Sequence, residues 1–361
     1  MFKKEEFIRI GSYTKKLNDY PAVKKELWNK LRCRDFETQA AKTDLELANA
    51  LAMLDYPAYF TLQKKMIPEG HRNIAHDLLE DELLKKQDNG LYTITNLGAV
   101  LFARRLAEFP TVSRKAIRIV QFAGKSKIEL LKDYTGQKGY AIGFEEIMEY
   151  MKALLPSKEV ITGAVRKTIS SYPEIALREA VANALIHQDF AISGTGPVVE
   201  IYTDRIEICN PGAPLVDIDR IIDSPPKSRN EKLASLMRRL KMCEELGTGW
   251  DKIVASCELM QLPTPEIQVY TENTRITLFS YVPYNMQVSE AKLRACYFHA
   301  CITYIFQEPM NNSSLRKRFG VNEKNSSGIS RLLKEAVKKG LIHPVDPDTA
   351  PRYKRYVPYW A

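Results

Sequence analysis

Three side chains that could do chemistry recur at intervals of four residues within the segment 178–189. They are Glu179, Asn183 and His187. In a helix, residues at positions i, i+4 and i+8 lie along one face. A carboxylate one turn from a carboxamide offers the oxygen ligands that Mg²⁺ prefers, because this ion is usually held by a few protein oxygens together with water or phosphate. The pattern is short, however, and an amphipathic helix with a solvated polar face explains it equally well.

The elements around this helix favour a binding site. Two runs of alternating apolar residues, 197–202 and 205–209, flank a two-residue turn and predict a β-hairpin. The hairpin ends in Asn210, Pro211 and Gly212, and a second glycine-rich segment follows later in the chain. That segment consists of Gly247, Thr248 and Gly249. It opens a predicted helix, whose first backbone N–H groups form a natural anion site.

The order E-x-x-x-N-A-x-x-H, D-R-I-E-I-x-N-P-G and G-T-G resembles the GHKL (histidine-kinase-like) ATP-binding fold. In particular it resembles the subgroup of bacterial ATP-binding regulators that carry a Schlafen/AlbA-type domain in front. The match covers roughly residues 172–265. The resemblance implies an α+β protein in which a GHKL-like α/β sandwich binds ATP and Mg²⁺ and is flanked by winged-helix-like modules.

The resemblance also implies roles for individual residues. The carboxylate at the position of Glu179 helps to activate or orient the attacking water, and the carboxamide at the position of Asn183 binds Mg²⁺ between the phosphates. The residue that accepts a hydrogen bond from the adenine amino group is normally an aspartate, and here it is Asn210, which is neutral. His187 either contacts phosphate or caps the helix.

The segment 213–230 occupies the place of the nucleotide lid in GHKL proteins. Its Lys227 and Arg229 either offer charge to a phosphate or belong to a solvated loop. Glycines at three positions let the backbone approach base and phosphates closely. These positions are Gly212, Gly247 and Gly249.

Basic charge is concentrated at the end of the chain. The net charge is +9 over 361 residues, and residues 291–361 contain thirteen Lys or Arg against five Asp or Glu, a net +8. Such a segment favours a polyanionic partner, most simply DNA or RNA, over mere solvated surface charge, and the helix pattern that follows favours double-stranded DNA. The pattern there predicts helices at 293–306, 315–319 and 327–339, with an N-cap at Asn312 or Ser313, and then a wing. The candidate DNA-contacting residues are Lys324, Ser327, Ser330, Arg331, Lys334, Lys354 and Arg355. A winged helix used for dimerisation is the alternative.

The N-terminal part divides into two predicted units. Residues 1–44 resemble the last strand and closing helix of an AlbA-type domain, so an upstream polypeptide is expected to supply the remainder unless the chain starts late. Residues 45–108 read as helices, including one at 73–86, followed by a hairpin strand, which indicates a small winged-helix-like module. Its acidic residues at 80–82 favour a structural spacer over DNA contact. The GHKL-like domain is then assigned to 109–283 and the winged helix-turn-helix domain to 284–361.

Composition indicates a cytoplasmic protein, and the resemblance implies a bacterial one. No apolar run is long enough for a membrane span, and the N-terminus lacks the apolar region of a secretory signal. Six cysteines are scattered without C-x-x-C pairs, which suggests reduced thiols. The cluster of Cys296, His299 and Cys301 suits a packed helix better than a metal site.

The sequence therefore predicts an ATP-binding, DNA-binding regulator that acts as a homo-oligomer. Nucleotide binding at the GHKL-like site would close the lid and change the affinity of the winged helix for DNA. Two alternatives stay open. One is a slow ATPase in nucleic-acid processing or defence. The other is a degenerate fold that serves as an assembly scaffold.

Overall fold

The computed structural model describes residues 6–11, 13–24, 27–28, 36–162, 165–243 and 248–361, with the backbone alone described at 157–162 and 165–169. Among these residues, no helix has both the length and the apolar character that crossing a bilayer requires.

The first elements form a hairpin and a small mixed unit. β1 (Phe7–Ile10) pairs antiparallel with β2 (Tyr13–Lys16), and helical residues follow at 21–24 and 27–28. The mixed unit consists of β3 (Ala40–Leu45), α1 (Leu47–Met53), α2 (Tyr56–Leu62), α3 (His71–Glu80), β4 (Leu84–Lys86), β5 (Tyr92–Thr95) and α4 (Asn96–Phe102). Its strands pair in the order β3-β5-β4. β3 thus crosses the boundary that we place at residue 44, and it pairs with the sheet of the 45–108 unit.

The helix predicted at 73–86 is shorter than its pattern suggests. α3 ends at Glu80 because Glu82 adopts a left-handed φ of 55° and the Leu83 N–H donates to the Leu78 carbonyl at 2.9 Å. A positive φ in a residue with a side chain ends a regular helix. The remaining residues of the predicted helix turn back into β4.

The central unit is built on a six-stranded mixed sheet. In chain order its elements are β6 (Arg118–Phe122), β7 (Leu130–Thr135), α5 (Tyr140–Leu154), β8 (Ser157–Thr162), β9 (Val165–Ser170), α6 (Glu174–Ile186), β10 (Val198–Ile201), β11 (Arg205–Pro211), α7 (Glu231–Arg239), α8 (Gly249–Leu259), β12 (Glu266–Val269) and β13 (Asn273–Phe279). The sheet order is β12-β13-β11-β10-β6-β7. β10 and β6 are parallel and the other neighbours are antiparallel. The predicted hairpin is present as β10 and β11.

One hydrophobic core joins these helices to the sheet. Phe144 of α5, Leu185 of α6 and Ile253 of α8 are buried with Ile208 of β11 in a single cluster. The alanine-rich face of α6 allows α8 to pack closely against it. The chain is therefore an α+β protein with an α/β sandwich at its centre, as the sequence predicts.

The C-terminal unit has its own core. It contains α9 (Ser289–Ile305), α10 (Asn312–Phe319), α11 (Ser326–Lys338), β14 (Ile342–Pro344) and β15 (Tyr356–Pro358). Leu293, Ile329 and Ile342 are among the residues buried in it. The N-cap of α10 is Asn311, one residue before the predicted position, and it forms a capping box with Ser314.

The acidic residues after α3 contact the central unit. Asp81 forms an ion pair with Arg239, and Glu82 forms one with Lys232, both of which belong to α7. Glu37 accepts hydrogen bonds from the backbone N–H groups of Lys232 and Leu233 at the start of the same helix. These contacts fix α7 against the N-terminal unit, in line with the structural role that we predict for this acidic segment.

Candidate nucleotide site

A cavity of about 540 Å³ lies between α6, the 213–230 segment, α7, the start of α8 and the sheet. This volume is in the range of sites that hold small molecules and cofactors. Seven of the residues predicted for nucleotide binding line its wall. They are Glu179, Asn183, His187, Asn210, Lys227, Arg229 and Gly249.

The polar face of α6 forms one wall of the cavity. Glu179 is buried, whereas Asn183 and His187 are half-buried. His187 is also the C-cap of the helix, and its backbone N–H donates to the Asn183 carbonyl at 2.9 Å. Both predicted roles of His187, contact with the ligand space and helix capping, are thus compatible with its position.

The first turn of α8 lies directly against Glu179. A methyl group added at Gly249 would lie 2.9 Å from Glu179 Oε2 and 3.5 Å from Asn183 Nδ2, which is closer to the carboxylate oxygen than side-chain carbons normally come. A side chain at residue 249 would therefore displace the Glu179 carboxylate, and the glycine lets the carboxylate lie against the start of α8. Thr248 precedes this turn as its N-cap residue and is not part of the cavity wall. Gly247 lies outside the described residues.

Asn210 is placed at the sheet side of the cavity. It is buried, and it lies opposite Thr274 in the β11–β13 ladder. Its Nδ2 donates to the Pro211 carbonyl at 3.2 Å. Thr274 also lines the cavity, and its hydroxyl donates to the Gly212 carbonyl at 2.7 Å.

Gly212 is predicted to let the backbone approach the base and phosphates, but the structure places it against Asp189 and Arg229. It lies outside the cavity wall with φ of 102°, and an added Cβ would lie 2.9 Å from the Cβ of Asp189 and 3.1 Å from Nη1 of Arg229. The glycine therefore makes room for this acidic and basic pair rather than for a base or a phosphate.

Arg229 joins the two ends of the 213–230 segment. Its Nη1 contacts Asp189 Oδ2 at 3.0 Å, and its Nη2 donates to the Ala213 carbonyl. Lys227 is exposed at the rim of the cavity. Lys227 and Arg229, for which the sequence predicts the same role, thus differ in their surroundings. Arg229 is held in an ion pair, whereas Lys227 faces solvent.

Asn230 fixes the end of the 213–230 segment to the end of α6. The sequence does not predict this contact. This buried side chain donates through Nδ2 to the carbonyls of Ile186 and Gln188, at 2.7 and 2.8 Å. Carbonyls at the end of a helix have no partner within the helix, so Asn230 satisfies part of the C-terminus of α6. Its position just before the acidic start of α7 is the only sequence signal of its importance.

His187 is neutral at physiological pH. Burial, together with the nearby Arg229, lowers the pKa of its imidazole to about 4. The side chain can therefore offer a neutral hydrogen bond to a ligand but not a positive charge.

The cavity wall is connected to the C-terminal unit at two places. The Tyr297 hydroxyl of α9 donates to the Asp219 carbonyl in the lid segment, and Trp360 Nε1 donates to the same hydroxyl at 3.1 Å. Trp250 lines the cavity, and its ring packs against that of Phe298 with the ring centroids 6.2 Å apart.

Further contacts fix α8 to the C-terminal unit. His299 contacts Glu258 through Nδ1 at 3.0 Å and Ser314 through Nε2 at 3.1 Å. Buried Arg318 donates through Nη2 to the Leu262 carbonyl and to Thr264 Oγ1, both at 2.8 Å. His299 thus joins helices α8, α9 and α10. Its neighbours Cys296 and Cys301 are buried in α9, which agrees with packing.

The candidate DNA-contacting residues lie on α11, just before it, and in the loop after β14. Most of them are exposed, and Lys354 is half-buried. Ser327, Ser330, Arg331 and Lys334 follow one face of α11 at helical spacing. Ser330 also accepts a hydrogen bond from Asn312 Nδ2 at 3.0 Å, which ties α11 to α10. Lys354 and Arg355 lie in the loop between β14 and β15.

Comparison with known proteins places the central unit in a family context. Residues 194–278 match the model of a family described as "Putative ATP-dependent DNA helicase recG C-terminal". The match includes the hairpin, the lid segment, α7, α8 and the last strands. It begins after α6, so the assignment of Glu179 and Asn183 depends on the cavity rather than on this match.

The crystal structure of the DIP2311 protein from Corynebacterium diphtheriae is similar over most of the chain. The two are 18% identical with a TM-score of 0.54, and the alignment covers 92% of this chain and 65% of that one. This level of identity shows a shared fold only, and the chain spans about two thirds of that protein. No curated protein matches the sequence. Within the chain, residues 194–278 are therefore similar to an ATPase-type domain of the recG C-terminal family.

Proposed function

We propose that the central unit binds ATP with Mg²⁺ and that nucleotide binding regulates DNA binding by the C-terminal unit. The observation that carries the first part is the cavity itself. Side chains from α6, β11, the lid segment and α8 are far apart in the sequence, yet they line one space of about 540 Å³. The similarity of residues 194–278 to an ATPase-type family supports the same proposal.

The donor set fits a nucleotide and its metal ion. Glu179 and Asn183 present a carboxylate and a carboxamide on one wall, and the Gly249 backbone lies against both side chains. Asn183 would provide an oxygen ligand to Mg²⁺, which would neutralise charge on the phosphates. Asn210 would accept a hydrogen bond from the base amino group through its side-chain oxygen, because its Nδ2 already donates to the Pro211 carbonyl. Lys227 would approach the phosphates from the rim.

The regulatory part rests on the contacts between cavity and C-terminal unit. Tyr297 bonds to the lid segment, and Trp250 packs between the cavity and Phe298. A nucleotide that moves the lid must therefore alter contacts of α9. Such coupling requires that the nucleotide bind one arrangement of the two units better than the other. The basic face of α11 would then contact DNA in the favoured arrangement.

ATP hydrolysis is the second candidate activity. Glu179 is a buried carboxylate in the cavity wall beside Asn183, where it would orient water for attack on the terminal phosphate. Glu179→Gln keeps the size of the side chain and removes its charge. Loss of turnover with retained ATP binding would support this activity.

Calorimetric titration with ATP and Mg²⁺ tests the nucleotide site. We expect micromolar binding by the wild type and loss of binding in Asn183→Ala. Asn322→Ala is the matched control, because this asparagine lies before α11 and outside the cavity wall, and its side chain accepts a hydrogen bond from the nearby Lys324 N–H. Absence of binding by the wild type would overturn the nucleotide proposal and leave a DNA-binding scaffold as the remaining alternative.

A further inference from the structure

α7 presents a third cation to the cavity. Glu231, Ala234 and Arg238 line the wall, and their spacing of three and four residues places them on one face of the helix. Arg238 lies outside both the lid segment 213–230 and the glycine-rich segment 247–249.

The orientation of this face is fixed from the other sides of the helix. Leu233 and Met237 are buried in the core. Lys232 and Arg239 form ion pairs with Glu82 and Asp81 of the N-terminal unit. α7 therefore cannot turn Arg238 away from the cavity without breaking these contacts.

Arg238 differs from the other cations of the cavity in its partners. Its side chain is half-buried, and among the described residues it has neither a hydrogen bond nor an ion pair. Arg229, by contrast, is already held by Asp189 and the Ala213 carbonyl. Lys227 is exposed at the rim. A guanidinium that is partly removed from water without an anion is unfavourable, so an anionic ligand at this place would be stabilising.

We propose that Arg238 binds the phosphate chain of the nucleotide, whereas Arg229 positions the lid. This inference rests on the proposed nucleotide site and names a cation of the cavity that binds the negatively charged phosphates of the nucleotide. A planar guanidinium suits this contact because it can donate two parallel hydrogen bonds to phosphate oxygens. The ligand class that follows is a nucleotide with a phosphate chain rather than a nucleoside.

Titration of ATP and adenosine against Arg238→Gln tests the assignment. We expect ATP affinity to fall about tenfold or more, since a charge-assisted bond is lost, with adenosine affinity unchanged. Arg238→Lys should retain part of the ATP affinity. Arg72→Gln is the matched control, because it removes the same charge from an exposed arginine of α3 that lies outside the cavity wall. Circular dichroism and thermal melting confirm that each variant is folded.

The outcomes separate this inference from the proposed function. Wild-type ATP affinity in Arg238→Gln overturns the role of Arg238 and leaves the nucleotide site standing. An equal loss for ATP and adenosine also overturns it, because the residue would then act on the base, the ribose or the cavity shape. If the wild type binds no ATP, the proposed function fails and this inference fails with it.

Discussion

The hydroxyl of Tyr297 donates a hydrogen bond to the backbone carbonyl of Asp219. This bond joins α9 of the C-terminal unit to the lid segment of the cavity. Trp360 supports it from the chain terminus by donating to the same hydroxyl, and the Arg220 guanidinium lies 5.3 Å from the centroid of the Trp360 ring. The lid and the C-terminal unit are thus connected by this hydrogen bond and by the packing of Arg220 against Trp360.

Tyr297→Phe is expected to uncouple the two sites. The variant keeps the ring and removes the bond to the lid, so ATP binding and DNA binding should each persist while the change of DNA affinity caused by ATP becomes smaller. DNA dissociation constants with and without ATP measure this coupling. Tyr304→Phe serves as control, since Tyr304 lies on the same helix and contacts Trp360 through its ring. An unchanged ATP effect in Tyr297→Phe would contradict the proposed route.

Gly249→Ala is expected to weaken ATP binding at least about tenfold. The added methyl would lie 2.9 Å from the Glu179 carboxylate and displace it or α8. Alanine is the better helix former, so reduced helix propensity cannot explain the loss. Gly124→Ala is the control, because nothing lies within 4 Å of a methyl group there. Calorimetry with ATP measures the effect, and wild-type affinity in Gly249→Ala would show that the wall tolerates the methyl.

Asp251→Asn is expected to stabilise the protein above pH 6. Burial raises the pKa of Asp251 to about 6 from an ordinary value of 3.8, and its buried Oδ1 has no hydrogen-bond partner among the residues that the structure describes. The folded state then holds a proton that the unfolded state has lost, so stability from this group falls as pH rises between about 4 and 6. Asparagine resembles the protonated acid and avoids this loss.

Thermal unfolding between pH 4 and 8 measures that effect. The melting temperature of Asp251→Asn should exceed that of the wild type at pH 7.5, and the difference should shrink as the pH falls below 6. Asp88→Asn changes an exposed aspartate and should leave the profile unaltered. An equal gain at all pH values would mean that the carboxylate's charge is not the cause.

Arg331→Ala and Lys334→Ala are expected to weaken DNA binding and its dependence on salt. Each lies on the exposed face of α11, and loss of one phosphate contact should reduce the slope of log K against log salt by about 1. Lys317→Ala removes the same charge from α10, whose Lys317 carbonyl faces Gln261 of the central unit. Equal losses of DNA affinity in all three variants would indicate that DNA binds through overall positive charge rather than through a defined face of α11.

Local pattern was sufficient for most secondary structure and for the composition of the site. The i, i+4, i+8 spacing predicts that Glu179, Asn183 and His187 share a face, and α6 bears this out because the periodicity of a helix depends on adjacent residues alone. The β10–β11 hairpin follows from alternation and turn length for the same reason. The end of α3 was missed because the helical pattern continued beyond Glu82, where the backbone turns left-handed.

The sequence by itself determined which residue types could form a nucleotide site, since spacing, glycine placement and charge are written along the chain. Only the tertiary structure decided their roles. Arg229 and Lys227 look equivalent in the sequence, but Arg229 meets Asp189, which is forty residues away. Arg238 carries no local signal, and Asn230 carries none beyond its place before the acidic start of α7, because their importance comes from the end of α6 and from the cavity that folding places beside them. Long-range contacts of this kind depend on how helices pack on the sheet, and periodicity contains no information about them.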